Sequence, residues 1–419
     1  MAEPTTDTGT VRVARRGEEA DARLGTVRRT PPLPAGEASR PGRRQALELL
    51  NAQDAPPAVR ATLGGGMPCE SGSPACINCP AGPGARCTSG AFSTKQGYRR
   101  YRIVMTVLVL AAVVFALGHL AWDNPMPLGT RGFWLIAELR ATSLIAMAVV
   151  AIAQAMATIS FQTVTSNRII TPSIMGFESL YVAIQTSVIY FLGAAGITVL
   201  VGTGQFVLQI LAMVGLSLLL YGWLLSGKYA NLQVMLLVGI ILGGGLGSVS
   251  TFMQRLLTPS EFDILTARMF GSISKADADY FPIALPLVAL ACLGLWLNAR
   301  RLNIMALGRE TCINLGIDHK HQTIIMLVLV SVLMAVSTAL VGPMTFFGFL
   351  VATLTYQLIG THDHRRLFPA AALLGFVVLC GAYFVMNNVF YAQGVVSIII
   401  ELVGGSLFLF VILRKGRLQ

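Results

Sequence analysis

Long apolar runs separated by short polar breaks fill the chain after Tyr101. A helix that crosses a membrane needs about 20 consecutive apolar residues. The pattern predicts ten such helices, at 103–122, 141–165, two within 179–227 with a turn at 193–204, 232–257, 281–297, two within 321–362 with a break at Gly342-Pro343, 367–386 and 395–413. We therefore expect an all-α polytopic membrane protein with about ten transmembrane helices.

The distribution of basic residues predicts how this bundle is oriented. An even number of crossings leaves both termini on the same side of the membrane. Fifteen Lys and Arg residues then fall on that side, against five on the other. Because cytoplasmic loops carry the excess of Lys and Arg, we expect both termini in the cytoplasm.

Composition excludes several classes of protein. Hydrophobic residues make up 54% of the 419 residues, and only 12% are charged. A soluble domain carries about 25% charged residues, so a soluble enzyme is excluded. The net charge of +11 is not gathered into a basic stripe interleaved with aromatic residues, so we expect no nucleic-acid partner.

Residues 1–101 differ from the membrane part, which we place at 102–419. They are rich in Arg, Ala, Gly and Pro and have no apolar core of the signal-peptide kind, so we expect a disordered cytoplasmic extension. Translation from Met67 would remove most of it. Four cysteines with one C-x-x-C spacing could hold zinc or an iron–sulfur cluster, but their outer gaps match no common ligand pattern, and an unstructured tail is favoured. They are Cys69, Cys76, Cys79 and Cys87.

The loop at 298–321 is the longest cytoplasmic connection between predicted spans. Its centre fits a short amphipathic helix that ends at Gly316. Leu307, Ile313 and Leu315 would need cover, while Arg309 and Glu310 would face outward. The element could dock a soluble partner or lie on the lipid headgroups, and the pattern alone does not choose between them.

Several strings resemble one known family. They are 307–316, with Leu307, Gly308, Arg309, Glu310, Leu315 and Gly316; 342–348, with Gly342, Pro343 and Gly348; 161–181, with Asn167, Pro172 and Gly176; and 399–405. Together they are similar to the FecCD-like permeases that import iron-siderophores, haem and vitamin B12. Strings 161–181 and 399–405 resemble one subclass, the second permease of catecholate (petrobactin-like) siderophore importers.

This resemblance implies an assembly in the bacterial plasma membrane. The family has the type II ABC importer permease architecture, and its members work with a second permease, here expected to be a paralogue. A cytoplasmic ABC ATPase dimer and an extracytoplasmic siderophore-binding lipoprotein complete the importer. The resemblance also implies that the string at 307–316 couples to the ATPase.

The resemblance further implies that the binding protein docks at Arg140, beside Glu138. The alternative is an interfacial anchor in which Arg140 pairs with Glu138. The chain departs from the family at two places: Ala352-Thr353 replaces a Pro-His pair, and Ser143 replaces a second arginine.

Small and ionisable residues inside the spans are the remaining candidates. The fifth span contains Gly239, Gly243, Gly244, Gly245 and Gly247, which either allow close helix packing or form a gate in the translocation path. We expect Glu401 to make a structural hydrogen bond between helices. Glu178, and His362 and His364 on either side of Asp363, are expected to be solvated. Cys292, Cys312 and Cys380 are expected to be small buried hydrophobic residues.

Absent motifs separate the function classes. The chain has no G-x-x-x-x-G-K-[ST] phosphate loop, so an importer would need an ATPase in trans. A secondary transporter usually carries ionisable residues at mid-membrane, and apart from Glu401 the predicted spans show almost none. An intramembrane enzyme needs a catalytic set of residues, which the spans lack. The sequence therefore predicts a non-enzymatic permease of an iron(III)-siderophore ABC importer, without cofactor or metal. Haem and corrinoids remain alternative cargoes, and a self-sufficient secondary transporter is the alternative class.

Overall fold

The computed structural model describes residues 92, 95–122, 129–200, 202–226, 232–273, 276–388 and 396–416. All regular structure in these ranges is helical. The helices that they contain are α1 Lys95–Ala121, α2 Arg131–Val164, α3 Phe177–Leu200, α4 Thr203–Ser226, α5 Leu232–Gln254, α6 Pro259–Met269, α7 Phe281–Leu297, α8 Ala299–Met305, α9 Arg309–Asn314, α10 His319–Val341, α11 Phe347–Ile359, α12 His364–Asn388 and α13 Val396–Gly416.

Membrane-crossing helices dominate the described part of the chain. Six segments, in α1, α2, α5, α7, α10 and α12, are long and apolar enough to cross a membrane, and α4, α11 and α13 contribute shorter apolar stretches. The prediction of an all-α membrane protein is therefore confirmed. The count of ten crossings and the side of the termini stay predictions.

Helix α2 is the buried centre of the bundle. It packs mainly against α10 and α12, and nearly every residue from Ala146 to Val164 is buried. Small side chains, many of them Ala, let the neighbouring helices approach closely. The buried Gln154 amide donates to Ser337 Oγ at 3.1 Å, which satisfies a polar group that lipid could not solvate.

Helix α2 also begins earlier than the apolar pattern predicts. Its first residue is Arg131, capped by the Thr130 hydroxyl, whereas the predicted span begins at 141. Hydropathy marks the part of a helix that lies in hydrocarbon, and the backbone continues beyond it. As a result, Glu138 and Arg140 lie inside the helix and do not precede it.

Two glycines break the predicted long apolar runs. Gly193 has a φ of 64° and interrupts α3, and α4 begins at Thr203, in the region of the predicted turn. Gly342 has a φ of 100° and ends α10, and α11 begins five residues later at Phe347. A positive φ has a low conformational energy only for glycine, so both breaks can be predicted from the positions of these glycines.

Helix α6 is absent from the sequence prediction. It is only 11 residues long and mixes polar with apolar side chains, so it carries no span-like signal. It begins with a capping box in which Glu261 accepts from the Thr258 backbone N–H at 3.0 Å, and Pro259 occupies the first turn. The Thr-Pro-Ser-Glu string is a sequence signature of a helix start.

Candidate functional site

The connection from α7 to α10 forms two short helices. After α8, Gly308 with a φ of 98° turns the chain into α9, and Gly316 with a φ of 78° turns it again toward α10. The Asp318 carboxylate then caps α10 by accepting from the backbone N–H groups of Lys320 and His321. The two glycines therefore isolate α9 as a separate surface element.

The apolar side chains of this element are not covered by the described part of the chain. Leu307, Ile313 and Leu315 are 64%, 50% and 58% exposed, so the cover that the sequence pattern requires must come from outside these residues. Cys312 takes the inward position and is fully buried, while Arg309 and Glu310 are exposed, as expected. The element also ends at Asn314, two residues before the predicted end.

A buried histidine at the start of α12 connects this helix to two others. His364 Nε2 lies 2.7 Å from Thr163 Oγ1 of α2, and its Nδ1 lies 2.6 Å from Asn303 Oδ1 of α8. The Asn303 amide also donates to Asp363 at 2.9 Å. The expectation of a solvated His364 is therefore wrong, whereas His362 is exposed.

The glycines of α5 divide into two groups. Gly239 and Gly243 face the turn before α3: a Cβ at Gly243 would lie 2.8 Å from the Gly176 Cα atom, and one at Gly239 would lie 2.9 Å from the Met175 side chain. Gly244 and Gly245, like Gly247, would have no described atom within 4 Å of an added Cβ. Close packing therefore involves Gly239 and Gly243, and the other glycines line an open face.

Glu178 lies in the first turn of α3 and is not solvated, contrary to expectation. Its Oε2 accepts a hydrogen bond from Thr345 Oγ1, in the segment between α10 and α11. Its Oε1 is buried and has no hydrogen-bond partner among the described residues. The sequence signal that could have revealed this position is the charge itself, two residues after Gly176 in a largely apolar stretch.

Glu401, in α13, is half-buried. One turn further along, a Cβ at Gly404 would lie 3.2 Å from the Phe346 carbonyl oxygen, so α13 packs against the residue next to Thr345. The structure thus brings the Glu178 carboxylate and helix α13 to the segment between α10 and α11, and the expected interhelical hydrogen bond of Glu401 stays a prediction.

The motif residues shape the turns on which these contacts depend. Asn167 Oδ1 accepts from the Ile169 N–H at 2.9 Å, and Pro172 precedes a short 3-10 turn that ends at Gly176, whose φ is 99°. A Cβ at Gly271 would meet the Pro343 carbonyl oxygen at 2.5 Å, and one at Gly348 would clash with Thr158. Contact with backbone at Gly271 and with the Thr158 side chain at Gly348 explains why these two positions are glycines.

Arg140 contacts the end of α1. Its guanidinium donates to the carbonyl oxygens of Trp122 at 2.6 Å and His119 at 3.3 Å. Glu138 is exposed and lies two positions away on the helix, where side chains do not face each other. The guanidinium therefore caps the C-terminal carbonyls of α1.

A polar cluster near the end of α6 escaped the sequence analysis. Arg268 Nη1 lies 3.4 Å from Gln205 Oε1 and 3.5 Å from Gln185 Oε1, and Gln185 donates to Gln209 at 2.8 Å. The Tyr181 hydroxyl donates to the Arg268 carbonyl oxygen at 3.2 Å. The signal that could have revealed this cluster is the four-residue spacing within two pairs, Tyr181 with Gln185 on α3 and Gln205 with Gln209 on α4. The apolar runs around these residues masked it.

The described residues contain no group of His, Cys, Asp and Glu side chains that could hold a metal ion. Cys69, Cys76, Cys79 and Cys87 lie outside the described residues. Cys312 and Cys380 are buried and Cys292 is half-buried, all three as free thiols, so the expectation of small buried residues is confirmed for the first two.

Comparison with known proteins identifies the class. The FecCD transport family matches residues 103–414. Petrobactin import system permease protein FatC of Bacillus anthracis is 49% identical over 331 residues, which cover 79% of this chain and 94% of that protein. Petrobactin import system permease protein YclO of Bacillus subtilis (strain 168) is 36% identical over 263 residues, 63% of this chain and 84% of that protein.

A solved chain supports the same fold. It is described as an inward-facing conformation of a metal-chelate type ABC transporter, and it aligns with a TM-score of 0.65 at 20% sequence identity. The alignment covers 74% of this chain and 99% of the solved chain.

The fold and the relatives together define a multi-pass permease of the bacterial plasma membrane, a transport subunit of an ABC importer of the iron-siderophore type. The chain belongs to the FecCD transport family. Both the predicted family and the predicted permease function are confirmed.

Proposed function

We propose that the chain moves an iron(III)-siderophore complex of the petrobactin-like catecholate class into the cytoplasm, and that a separate ATPase powers this movement. The main support is the 49% identity to FatC over 94% of that relative's length. The relative's name places petrobactin in that system, and extensive identity through the membrane helices favours a related cargo here. Haem and corrinoids are the alternative cargoes.

The proposed topology has ten crossings and both termini in the cytoplasm. Ten described helices, α1–α5, α7 and α10–α13, lie at the ten predicted segments. Helix α11 has only 13 residues, about 20 Å at the helical rise. The extended residues before α11 would complete that crossing, which is tolerated in a membrane when the backbone is packed against protein.

The surface of α9 is the proposed ATPase contact. Leu307, Ile313 and Leu315 form an exposed apolar surface beside the charges of Arg309 and Glu310. Exposed apolar side chains edged by charge are typical of a protein interface. Buried Cys312 and the His364 contacts next to α8 would pass movement of this surface to α2 and α12.

The proposed gate is a series of contacts that leads from α5 through the turn before α3 to the segment between α10 and α11, and from there to α13. Gly243 contacts Gly176, Thr345 donates to Glu178, and Gly404 packs against Phe346. These contacts join α3, α5 and α13 to the segment between α10 and α11 through backbone and small groups, so a rigid-body shift of α5 or α13 must break or move them. ATP-driven rocking of helices around such contacts would alternate access to the path.

The proposed partners are a second permease, an ABC ATPase dimer and an extracytoplasmic siderophore-binding lipoprotein. The open glycine face of α5, with Gly244 and Gly245, fits close approach by another membrane helix. The binding protein is proposed to dock at the end of α2 that carries Glu138 and Arg140. Since Arg140 caps α1 in this structure, its role there would be to hold that surface in place as much as to contact the partner.

Iron uptake by intact cells tests the cargo. A strain that lacks this chain should lose accumulation of iron-55 supplied as ferric petrobactin and regain it when the chain is restored. Uptake of haem and of a corrinoid should be unchanged by the deletion. Loss of haem or corrinoid uptake, with siderophore uptake intact, would instead assign the alternative cargo.

A further inference from the structure

One face of α1 is apolar and exposed along most of its length. Its side chains recur every three or four residues and are between 57% and 63% exposed; they are Ile103, Val107, Leu110, Val114 and Leu117. This spacing places them in one stripe along the helix. We call these five residues the α1 stripe.

Two arginines stand at the Lys95 end of the α1 stripe. Arg99 lies four residues before Ile103, on the same face of α1. Arg102 directly precedes Ile103, and both arginines are exposed. With Ile103, Thr106 and Val107 they line a shallow groove between two rows of side chains on the surface of α1, open to the surroundings. The groove therefore has a cationic end and an apolar wall.

These two arginines differ from other basic residues on the same side of the fold. Arg100 donates to the Gln357 carbonyl oxygen at 3.1 Å, Arg168 stacks over Tyr356 at 4.6 Å, and Arg366 lies over Phe92 at 4.8 Å. No hydrogen bond or ion pair from the Arg99 or Arg102 guanidinium occurs within the described part of the chain. Arg102 is instead held over the Tyr98 ring at 5.1 Å, next to the groove.

We propose that this groove binds one anionic phospholipid, whose phosphate lies between Arg99 and Arg102 and whose acyl chain follows the α1 stripe. Guanidinium groups match phosphate oxygens with paired, charge-assisted hydrogen bonds. A free phosphate would use only the cationic end, whereas a phospholipid uses both ends of the groove.

The dimensions of a membrane leaflet fit this arrangement. Half of the hydrocarbon core is about 15 Å thick, which corresponds to about ten residues of helix rise. An acyl chain that starts at Ile103 would therefore reach about Val114, and both positions belong to the α1 stripe. If both termini are cytoplasmic, this lipid lies in the cytoplasmic leaflet. The choice of leaflet therefore rests on the proposed topology, whereas the site itself does not.

Native mass spectrometry of the full chain, purified with any subunits that accompany it, tests the proposal. The probes are phosphatidylglycerol and phosphatidylcholine with identical oleoyl chains. We expect one phosphatidylglycerol to be retained in preference to phosphatidylcholine. The double substitution Arg99→Gln/Arg102→Gln should weaken this retention roughly tenfold or more, because two cations near the headgroup are lost.

The matched control is Arg300→Gln/Arg365→Gln, which removes two exposed charges from the same side of the fold without touching the groove. This control should retain phosphatidylglycerol as the parent chain does. An equal loss in both double variants, or equal retention of the two lipids, would show a diffuse charge effect and overturn the proposal.

A second variant tests the apolar part of the site. Val107→Trp fills the groove without changing charge, so it should also reduce retention of phosphatidylglycerol. Inorganic phosphate in excess should leave the lipid bound. If Val107→Trp binds lipid normally, or if inorganic phosphate displaces it, the lipid assignment is wrong. Because the readout is lipid retention, failure here is distinguishable from a wrong transport cargo.

Discussion

At the residue scale, small groups in close contact decide how neighbouring helices of this permease meet. The sequence shows five glycines in the fifth span but does not indicate which of them face protein. The structure separates them, since Gly239 and Gly243 pack on Met175 and Gly176, and Gly244 and Gly245 are open. A glycine carries no side chain that would mark its face of the helix, so only the position of the neighbouring turn can make this distinction.

We predict that Gly243→Ala destabilises the permease. The added methyl would lie 2.8 Å from the Gly176 Cα atom, and backbone cannot move aside as a flexible side chain can. Overpacking of this kind costs about 1–3 kcal/mol. The midpoint of thermal unfolding in detergent should fall, and siderophore uptake should fall with it. Gly244→Ala is the matched control, and equal behaviour of the two variants would contradict the packing of α3 on α5.

His364 provides a second prediction at this scale. His364→Ala would remove the imidazole that lies 2.7 Å from Thr163 Oγ1 and 2.6 Å from Asn303 Oδ1. Thr163 would still donate to the Ile159 carbonyl oxygen, and Asn303 Oδ1 would still accept from the backbone N–H of residue 364. Each lost hydrogen bond contributes about 0.5–1.5 kcal/mol, so the unfolding midpoint should decrease. The control is His362→Ala, at an exposed neighbour, which should leave the midpoint nearly unchanged. A larger effect at His362 than at His364 would contradict the structural role of His364.

At the scale of elements, apolar length predicts the membrane helices well and their polar ends poorly. Span positions follow from burial in lipid, which is a strong signal. The start of α2 at Arg131 and the whole of α6 depend on capping by Thr130 and Thr258, which hydropathy does not detect. Solvation of Glu178 and His364 was predicted wrongly because their partners, Thr345 and Asn303, lie far away in the sequence.

Helix α9 carries the prediction for coupling. Leu315→Asp replaces an exposed apolar side chain with a charge, so it should leave the fold intact while reducing binding of the ATPase and transport several-fold. Co-purification of the ATPase with the tagged chain and uptake of ferric petrobactin measure both effects. Asn314→Asp adds the same charge at the neighbouring position without removing an apolar contact, and it should behave like the parent. Normal transport by Leu315→Asp would exclude this surface as the coupling site.

At the scale of the whole molecule, the chain has the features of one subunit of a larger transport complex. It has no phosphate loop, and its short helix α9 presents apolar side chains that the described part of the chain does not cover. Membership of the FecCD transport family agrees with both observations. The family and the helical class could be predicted from the sequence, whereas partner identity is a property of surfaces that meet other chains.

The most direct test of the central claim is purification of the tagged full-length chain from native membranes in mild detergent, followed by mass spectrometry of the proteins that accompany it. We expect a second multi-span permease, an ATPase with a phosphate loop and a lipid-anchored binding protein, and we expect the purified complex to hydrolyse ATP. Recovery of the chain alone, under conditions that keep a control importer intact, would contradict the account and indicate a carrier that works without an ATPase.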